Sequence, residues 1–145
     1  QFKDSTGKAM DWVESVVKYE RPDVVILDMG DKFADIRSER SDITLKAAAI
    51  HARNIAKQYD CAVVWMSQLS AEAEGRADLN QAMMEGSKTG KAAEADLMVL
   101  IGKTQQAEGE EEDPIRYLNI AKNKLNGFQG KITCQLDGSR SLYSA

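Results

Sequence analysis

The sequence contains little of what builds a disulfide-rich, metal-bound or membrane-spanning protein. It has two cysteines and one histidine in 145 residues. Cys61 and Cys134 stand apart in apolar stretches, which predicts two buried free thiols; a zinc site would need Cys and His clustered at short spacing. His51 lies in a helical pattern and is interpreted as a helix-surface residue. No apolar run approaches the roughly 20 residues that span a bilayer, so no membrane partner is expected.

The sequence also lacks an excess of basic charge. Its net charge of −4 argues against a generic basic coat for nucleic acid, although a few local Lys and Arg residues could still hold a strand. Much of the acidity lies in the run 108–113, which is typical of a solvated loop. The first residues, 1–4, have no apolar core of a signal peptide and no initiator Met, so we expect the chain to begin partway through a longer protein.

A phosphate-binding loop is missing as well. Such a loop has Gly, four residues and then Gly-Lys-Ser or Gly-Lys-Thr between a strand and a helix. The nearest string, 86–92, is one residue short, has Ala where the magnesium-binding hydroxyl belongs and follows a helix-like segment. The string 5–9 fails in the same way. We therefore expect that this chain alone does not hydrolyse ATP.

What is present is an alternation of helical and strand-like segments. Ser5 can cap a first helix that Pro22 ends. Three continuous apolar runs predict strands buried on both faces, as in a parallel sheet. Two later stretches alternate in polarity around Asn126-Gly127, which predicts an antiparallel hairpin added to the edge of the sheet. The predicted helices are 5–20, 43–59 and part of 82–94; the parallel strands are 23–28, 61–66 and 97–101; the hairpin strands are 115–121 and 130–136. The second helix has a predicted buried stripe, which consists of Leu45, Ala48, Ala52, Ile55 and Tyr59.

Polar side chains follow two of the predicted parallel strands where each strand ends. Asp28 follows Val24–Leu27, and Ser67-Gln68 follow Val63–Met66. Open α/β sheets bind ligands at this edge, where an Asp can hold the Mg²⁺ that bridges the phosphates and a Gln can bond a γ-phosphate or its attacking water. Each feature also has a plain alternative: an Asp in a surface turn, and a helix-capping Ser beside a surface Gln.

A series of short motifs narrows this interpretation. After the two strand ends come Glu85–Gly90, then 93–96 leading into the strand 97–101, then Ile120–Lys124 with Asn126-Gly127 and Gly130. In this order, from about residue 22 to residue 137, the series resembles the DnaB-type replicative helicases of bacteria and phages. The resemblance implies a single domain over 1–145 with an α/β RecA-like fold. Its sheet would be mainly parallel, flanked by helices, with a C-terminal antiparallel hairpin and without the phosphate-loop strand.

The resemblance also implies roles for individual residues at an ATP and Mg²⁺ site. Asp28 would be the metal-side acid of the Walker B strand, and Ser67 would be a further nucleotide-binding residue. Gln68 would sense the γ-phosphate and relay hydrolysis to the DNA loops. Lys122 and Lys124 match paired basic positions that reach the neighbouring subunit's nucleotide. The second of these is usually Arg, and Lys offers a point charge instead of a bidentate fork.

The DNA-contacting loops of the family would correspond to residues 29–42 and 69–90. Both contain basic side chains, and the glycine-rich part of the second could present backbone N–H groups to phosphates. Phe33 is their one aromatic residue, so backbone tracking is expected instead of base stacking. The alternative is that both are charged surface loops. The residues concerned are Lys32, Arg37 and Arg40 in the first loop, and Arg76, Gly86, Ser87, Lys88 and Gly90 in the second, followed by Lys91.

Three functions remain open on the sequence. The first is the motor of a ring-shaped, hexameric, ATP-driven DNA helicase that translocates on single-stranded DNA, with identical subunits and a primase as partners, in the cytoplasm of a bacterium or a phage-infected cell. The second is a RecA- or RadA-like recombinase or loader ATPase. The third is a non-catalytic RecA-like assembly module, which the missing phosphate loop favours. The segment 85–87 and the hairpin with Lys122 and Lys124 favour the helicase over the recombinase.

Overall fold

A computed structural model describes residues 3–4, 8–34, 41–85, 90–106 and 113–145. These residues fall into two compact units. The first comprises Gln1–Gln68 with Glu85–Glu94, and the second comprises Leu69–Met84 with Ala95–Ala145. The first carries three α-helices and a parallel strand pair, and the second carries an antiparallel sheet.

The first unit contains a parallel strand pair, and its two longer helices pack against one face of that pair. Its helices are α1 (Met10–Glu20), α2 (Ser41–Tyr59) and the short α3 (Gly90–Glu94). Its strands are β1 (Val24–Leu27) and β2 (Ala62–Trp65), aligned so that Leu27 lies beside Trp65. The core contains Met10, Val13, Val17, Leu27, Phe33, Ala34, Leu45, Ala48, Ala52 and Ile55. The buried stripe predicted for α2 is confirmed at Leu45, Ala48, Ala52 and Ile55.

The prediction that these strands are buried on both faces is wrong. In β1, Leu27 is buried and Val25 partly buried, whereas Val24 and Ile26 are exposed. The strand β2 alternates in the same way. A strand made of consecutive apolar residues can be covered on one face or on both faces of its sheet, and the elements that pack against the sheet decide which occurs. Here the helices cover one face.

The second unit is a four-stranded antiparallel sheet in the order β3-β4-β5-β6. Its strands are β3 (Leu97–Gly102), β4 (Ile115–Asn123), β5 (Gly130–Asp137) and β6 (Leu142–Ser144). The predicted hairpin is therefore confirmed as β4 and β5, while β6 was not predicted. The three residues of β6 are too few to show an alternation of polar and apolar side chains, and they pair with the end of β5.

One strand pairs differently from the prediction. The run containing Leu97–Ile101 was expected to continue the parallel sheet, but β3 pairs antiparallel with β4. Within the described ranges, parallel pairing is confined to β1 and β2. An apolar run specifies a strand but not its partner, because direction and register depend on which segment comes to lie beside it.

The first helix also begins later than predicted. Helix α1 starts at Met10 behind Ala9, whose side chain cannot cap it, so the assignment of Ser5 as the cap was wrong; Ser5 itself lies outside the described residues. The helix ends at Glu20, before Arg21 and Pro22, as expected. In the described part of the chain, no helix has the length and apolar character needed to cross a bilayer.

Candidate functional site

The ends of β1 and β2 lie at the same edge of the parallel sheet. Backbone bonds continue beyond the paired residues: the Met66 N–H donates to the Leu27 carbonyl over 3.1 Å, and the Gly30 N–H donates to the Met66 carbonyl over 2.8 Å. Asp28 follows the first strand and Ser67-Gln68 follow the second, so all three emerge at the carboxyl edge. This is the edge at which open α/β sheets bind ligands.

Asp28 and Gln68 are both exposed, and Ser67 is half-buried. A carboxylate and a neutral amide that face solvent at one rim can receive a charged ligand without first breaking a buried network. The structure therefore places two of the three residues predicted for the nucleotide side, Asp28 and Gln68, in accessible positions at the same edge of the sheet. The third, Ser67, is engaged within the protein.

A polar network that the sequence did not reveal lies directly behind these side chains. The Lys91 ammonium is buried and donates to both carboxylate oxygens of Asp31 over 2.9 Å and to the Ser67 hydroxyl over 2.7 Å. The Ser67 hydroxyl donates to Asp31 over 2.5 Å, and the indole N–H of Trp65 donates to Asp31 over 3.0 Å. Asp31 thus accepts four bonds, so its oxygens are already satisfied by protein donors.

The same network corrects one expectation for the second DNA loop. Lys91 was predicted to lie among its basic contacts, yet its side chain is only 5% exposed and is held by Asp31. Gly90 is also buried, so its N–H group could meet a phosphate only if the start of α3 became accessible. Neither fact was visible in the sequence, because Asp31 and Lys91 are 60 positions apart.

Of the remaining predicted DNA contacts, some are exposed in the structure and the others lie outside the described residues. Lys32 in the first unit and Arg76 in the second are exposed, as a contact with phosphate requires. Phe33, the one aromatic residue of these loops, is buried in the core and is not available for stacking on a base in this structure. Arg37 and Arg40 of the first loop, and Gly86, Ser87 and Lys88 of the second, lie outside the described residues.

The paired lysines of the hairpin lie near the end of β4. Lys122 is half-buried and stands beside Met98 of β3. Lys124 is more exposed, and its ammonium lies 3.5 Å from the Asp96 carboxylate, whose side chain is 54% exposed. The Lys124 N–H also donates to the Asp96 carbonyl over 2.8 Å. The pair is open to solvent, so an incoming anion could compete with Asp96 for the lysine.

The loop that carries Arg76 is attached to the second sheet by one buried side chain. The Asn119 amide donates to the Ala77 carbonyl over 2.9 Å, and its oxygen accepts the Leu79 N–H over 3.3 Å. Gly102 allows this close approach, because a Cβ there would lie 2.5 Å from the Arg76 carbonyl oxygen. On the other side of Arg76, the Gln105 N–H donates to the Gly75 carbonyl over 3.1 Å, so Arg76 projects from a backbone that is held on both sides.

The single histidine is hydrogen-bonded between α2 and α1, and Cys61 precedes β2 at the end opposite to this edge. His51 bonds Glu14 over 2.7 Å, and Tyr59 donates to the other Glu14 oxygen over 3.1 Å. The hydrogen bond from His51, followed by that from Tyr59, lowers the pKa of Glu14, and desolvation is the main reason that the pKa of Tyr59 is raised. Both cysteines are free; desolvation raises the pKa of Cys61, which makes it a poor nucleophile.

A divalent cation at this edge would depend on its nucleotide for part of its coordination. Among the described residues there is no group of three or more His, Cys, Asp and Glu side chains that could hold a metal ion. Mg²⁺ is commonly bound by one or two carboxylates together with substrate phosphates and water. The exposed carboxylate of Asp28 suits that manner of binding, whereas Asp31 does not, because Lys91, Ser67 and Trp65 occupy it.

The chain is similar to known proteins in its fold, but no protein with a related sequence matches it. No family model matches the chain, and no curated protein matches it. Among solved structures, 45 chains match. One is a DnaB-like replicative helicase, described together with its interactions with primase: it is 18% identical, with a TM-score of 0.78 over 97% of this chain. Another is described as an ATPase domain; it is 16% identical, with a TM-score of 0.79 over 94% of this chain.

The expected resemblance is therefore found in three dimensions: the chain has the α/β, RecA-like fold of the DnaB-like helicase and of the ATPase domain. It spans 36% of the first structure's chain and 51% of the second's. The identities of 16% and 18% show a shared fold alone.

Proposed function

We propose that this chain is the downstream part of the ATPase motor of a replicative DNA helicase. The observation that carries the proposal is the placement of Asp28 and Gln68 at one accessible edge of the parallel strands, within a fold shared with a DnaB-like helicase and with an ATPase domain. The coverage of 36% and 51% of those chains supports the view that the phosphate-binding loop belongs to another part of a longer protein.

In this proposal the two exposed side chains serve different parts of one nucleotide. Asp28 holds Mg²⁺ beside the ATP phosphates, and the bound ion supplies charge neutralisation at the transferred phosphoryl group. Gln68 bonds the γ-phosphate or orients the attacking water without adding a charge that must be desolvated. Ser67 keeps the end of β2 in place through its bonds to Asp31 and Lys91.

The other predicted residues complete a ring-shaped motor. Lys122 and Lys124 reach the nucleotide of the neighbouring subunit, where Lys124 exchanges Asp96 for phosphate. This role needs an identical neighbouring subunit, and the proposed assembly is a ring of six. Lys32 and Arg76 contact the phosphates of a single DNA strand, together with Arg37, Arg40, Gly86, Ser87 and Lys88. Their charge and the absence of an available aromatic suit sequence-independent tracking. A primase is a further proposed partner, and the bacterial or phage-infected cytoplasm the proposed location.

Substitution of the two rim residues in the complete protein tests the proposal. We expect Asp28→Ala and Gln68→Ala each to lower ATP turnover stimulated by single-stranded DNA by roughly 100-fold, the size of effect seen when one transition-state-stabilising group is removed. Asp23→Ala is the matched control for the first, because Asp23 is exposed at the opposite end of β1; Gln135→Ala, exposed in β5, is the control for the second.

Near-normal turnover in both rim variants, with the fold intact by circular dichroism, would remove the motor assignment. Unwinding of a forked duplex by the wild-type protein, together with its mass in solution with ATP, separates a ring helicase from a filament-forming recombinase. A complete protein that neither binds nor hydrolyses ATP would favour the assembly module.

A further inference from the structure

The turn that joins β4 to β5 contains an asparagine followed by a glycine. The sequence has five asparagines, and Asn126 is the one whose next residue is Gly. Asn126 and Gly127 are both exposed, and nothing lies within 4 Å of the Cβ that would be added at Gly127. Neither side-chain bulk nor burial therefore shields the backbone nitrogen of Gly127 from the side chain before it or from water.

The Asn126 side chain is folded back over the peptide bond that follows it. Its Oδ1 accepts a hydrogen bond from the Phe128 N–H over 3.0 Å, which is the bond of an Asx turn. Because that bond spans the Asn126–Gly127 peptide group, it brings Cγ of Asn126 close to the Gly127 nitrogen. Within residues 113–145, no hydrogen bond engages the Gly127 N–H.

Two donors converge on the oxygen that would carry charge during an attack on Cγ. Besides the Phe128 N–H, the Asn123 side-chain amide donates to Oδ1 of Asn126 over 2.6 Å. Asn123 is itself held by the turn, because its own Oδ1 accepts the N–H groups of Leu125 over 3.0 Å and of Asn126 over 3.4 Å. Donors held in place on a carbonyl oxygen stabilise the negative charge that develops there when a nucleophile adds to the carbonyl carbon.

From this geometry we propose that Asn126 is a site of spontaneous deamidation and isomerisation in the folded protein. Hydroxide from the solvent removes the Gly127 amide proton, and the nitrogen adds to Cγ of Asn126. The bond from Cγ to the side-chain nitrogen then breaks, ammonia leaves, and a cyclic imide remains. Water opens the imide at Cγ to give aspartate, or at the main-chain carbonyl carbon to give isoaspartate. The net reaction consumes water and releases ammonia without any change of oxidation state.

The modification changes both the charge and the chain length of the turn. It adds a negative charge two positions after Lys124, whose ammonium lies 3.5 Å from the Asp96 carboxylate. Isoaspartate also inserts the Cβ of Asn126 into the main chain, next to the β4–β5 pairing, whose last pair before the turn is Ile120 with Gly130. The reactivity depends on the turn alone, so it goes beyond the proposed function and would remain if the chain were not part of a helicase.

The test follows Asn126 in the folded 145-residue chain during incubation in mildly alkaline buffer. Peptide mass spectrometry detects the conversion of the amide to an acid, and labelling by an isoaspartate methyltransferase detects the isomerised product. Asn80 is an internal comparison: it is exposed, and its Oδ1 also accepts the N–H two positions ahead, from Ala82 over 2.9 Å, but Gln81 follows it. We expect conversion at Asn126 and none at Asn80 over the same period.

Asn123→Asp tests the role of the second donor. It replaces the donating amide nitrogen with oxygen and keeps an acceptor for the N–H groups of Leu125 and Asn126. Conversion at Asn126 should slow by roughly tenfold, less than the loss of one oxyanion donor costs in a closed active site.

Gly127→Ala tests the attacking nitrogen, because its methyl group lies beside that nitrogen. Conversion at Asn126 should fall to the level of Asn80. Gly138→Ala is the matched control, since its added Cβ also meets nothing within 4 Å, and it should convert at the wild-type rate.

Comparison of the folded chain with the same chain in urea separates the turn from the sequence. The unfolded chain keeps Asn126-Gly127 but loses both donors, so we expect the folded chain to convert at least as fast at the same pH. Protection of Asn126 by folding would overturn the proposal. An unchanged rate in Asn123→Asp would overturn it as well, because the Asn-Gly sequence alone would then account for the reaction. Conversion in the folded chain that slows in both turn variants and not in Gly138→Ala supports it.

Discussion

Replacing Gly30 with alanine adds one methyl group directly against the indole ring of Trp65. An ideal Cβ at Gly30 would lie 2.5 Å from two ring carbons and 2.7 Å from the ring nitrogen of Trp65. The ring is held where it is, since its N–H donates to Asp31 and it packs against the core of the first unit. The methyl group therefore forces the ring, the turn or both to move.

The expected cost has three parts. Overpacking costs about 2 kcal/mol, and losing a hydrogen bond to a charged acceptor costs about 1.5 kcal/mol. Alanine stiffens the unfolded chain, which offsets roughly 0.5 kcal/mol. The net loss in the free energy of unfolding is then about 3 kcal/mol, measured by urea denaturation of the 145-residue chain.

Gly138→Ala is the matched control, because nothing lies within 4 Å of the Cβ that it would add. We expect it to be within about 0.5 kcal/mol of the wild type, as surface substitutions usually are. Adding Trp65→Val should make Gly30→Ala nearly neutral, since the ring that it strikes is gone. Equal stability of the Gly30 and Gly138 variants, or the same cost of Gly30→Ala with and without the Trp65→Val change, would refute the reasoning.

Two further predictions concern stability. Glu14→Gln should weaken the dependence of the free energy of unfolding on pH in acid. Because the pKa of Glu14 is lowered in the folded protein, its ionised form stabilises the fold above the usual Glu pKa, and this stabilisation is lost as the pH falls through the folded-state pKa. Urea denaturation at a series of acidic pH values will check this. A wild-type curve in the variant would contradict this. Asn119→Ala should cost about 2–4 kcal/mol, because it leaves the Leu79 N–H and the Ala77 carbonyl without their partner, and it should speed hydrogen exchange at Leu79; unchanged exchange would contradict it.

Several parts of the fold could be predicted from local pattern. Helical periodicity located the buried stripe of α2, and alternation around Asn126-Gly127 located β4 and β5. Strand ends with polar residues located Asp28 and Gln68, because side chains that follow parallel strands must emerge at the same edge. Each of these inferences needs only residues that are close in sequence, or a rule about how parallel strands run.

Other parts could not be predicted, because they depend on long-range packing. The antiparallel partner of β3 is such a case: its apolar run suits either direction, and pairing with β4 decided it. The role of Lys91 is another, since a lysine beside a glycine-rich run is expected at the surface until a carboxylate 60 positions away is placed against it.

The sequence by itself determined where α2 and the strands β1 to β5 would form and which polar residues would follow β1 and β2, since both follow from side-chain periodicity and chain direction. Only the tertiary structure decided what those strand ends are connected to. Burial of the Lys91 ammonium requires charged and polar partners, and folding alone brings Asp31 and Ser67 close enough to provide them. That packing turned a residue expected to contact DNA into one that fastens the start of α3 to the ends of β1 and β2.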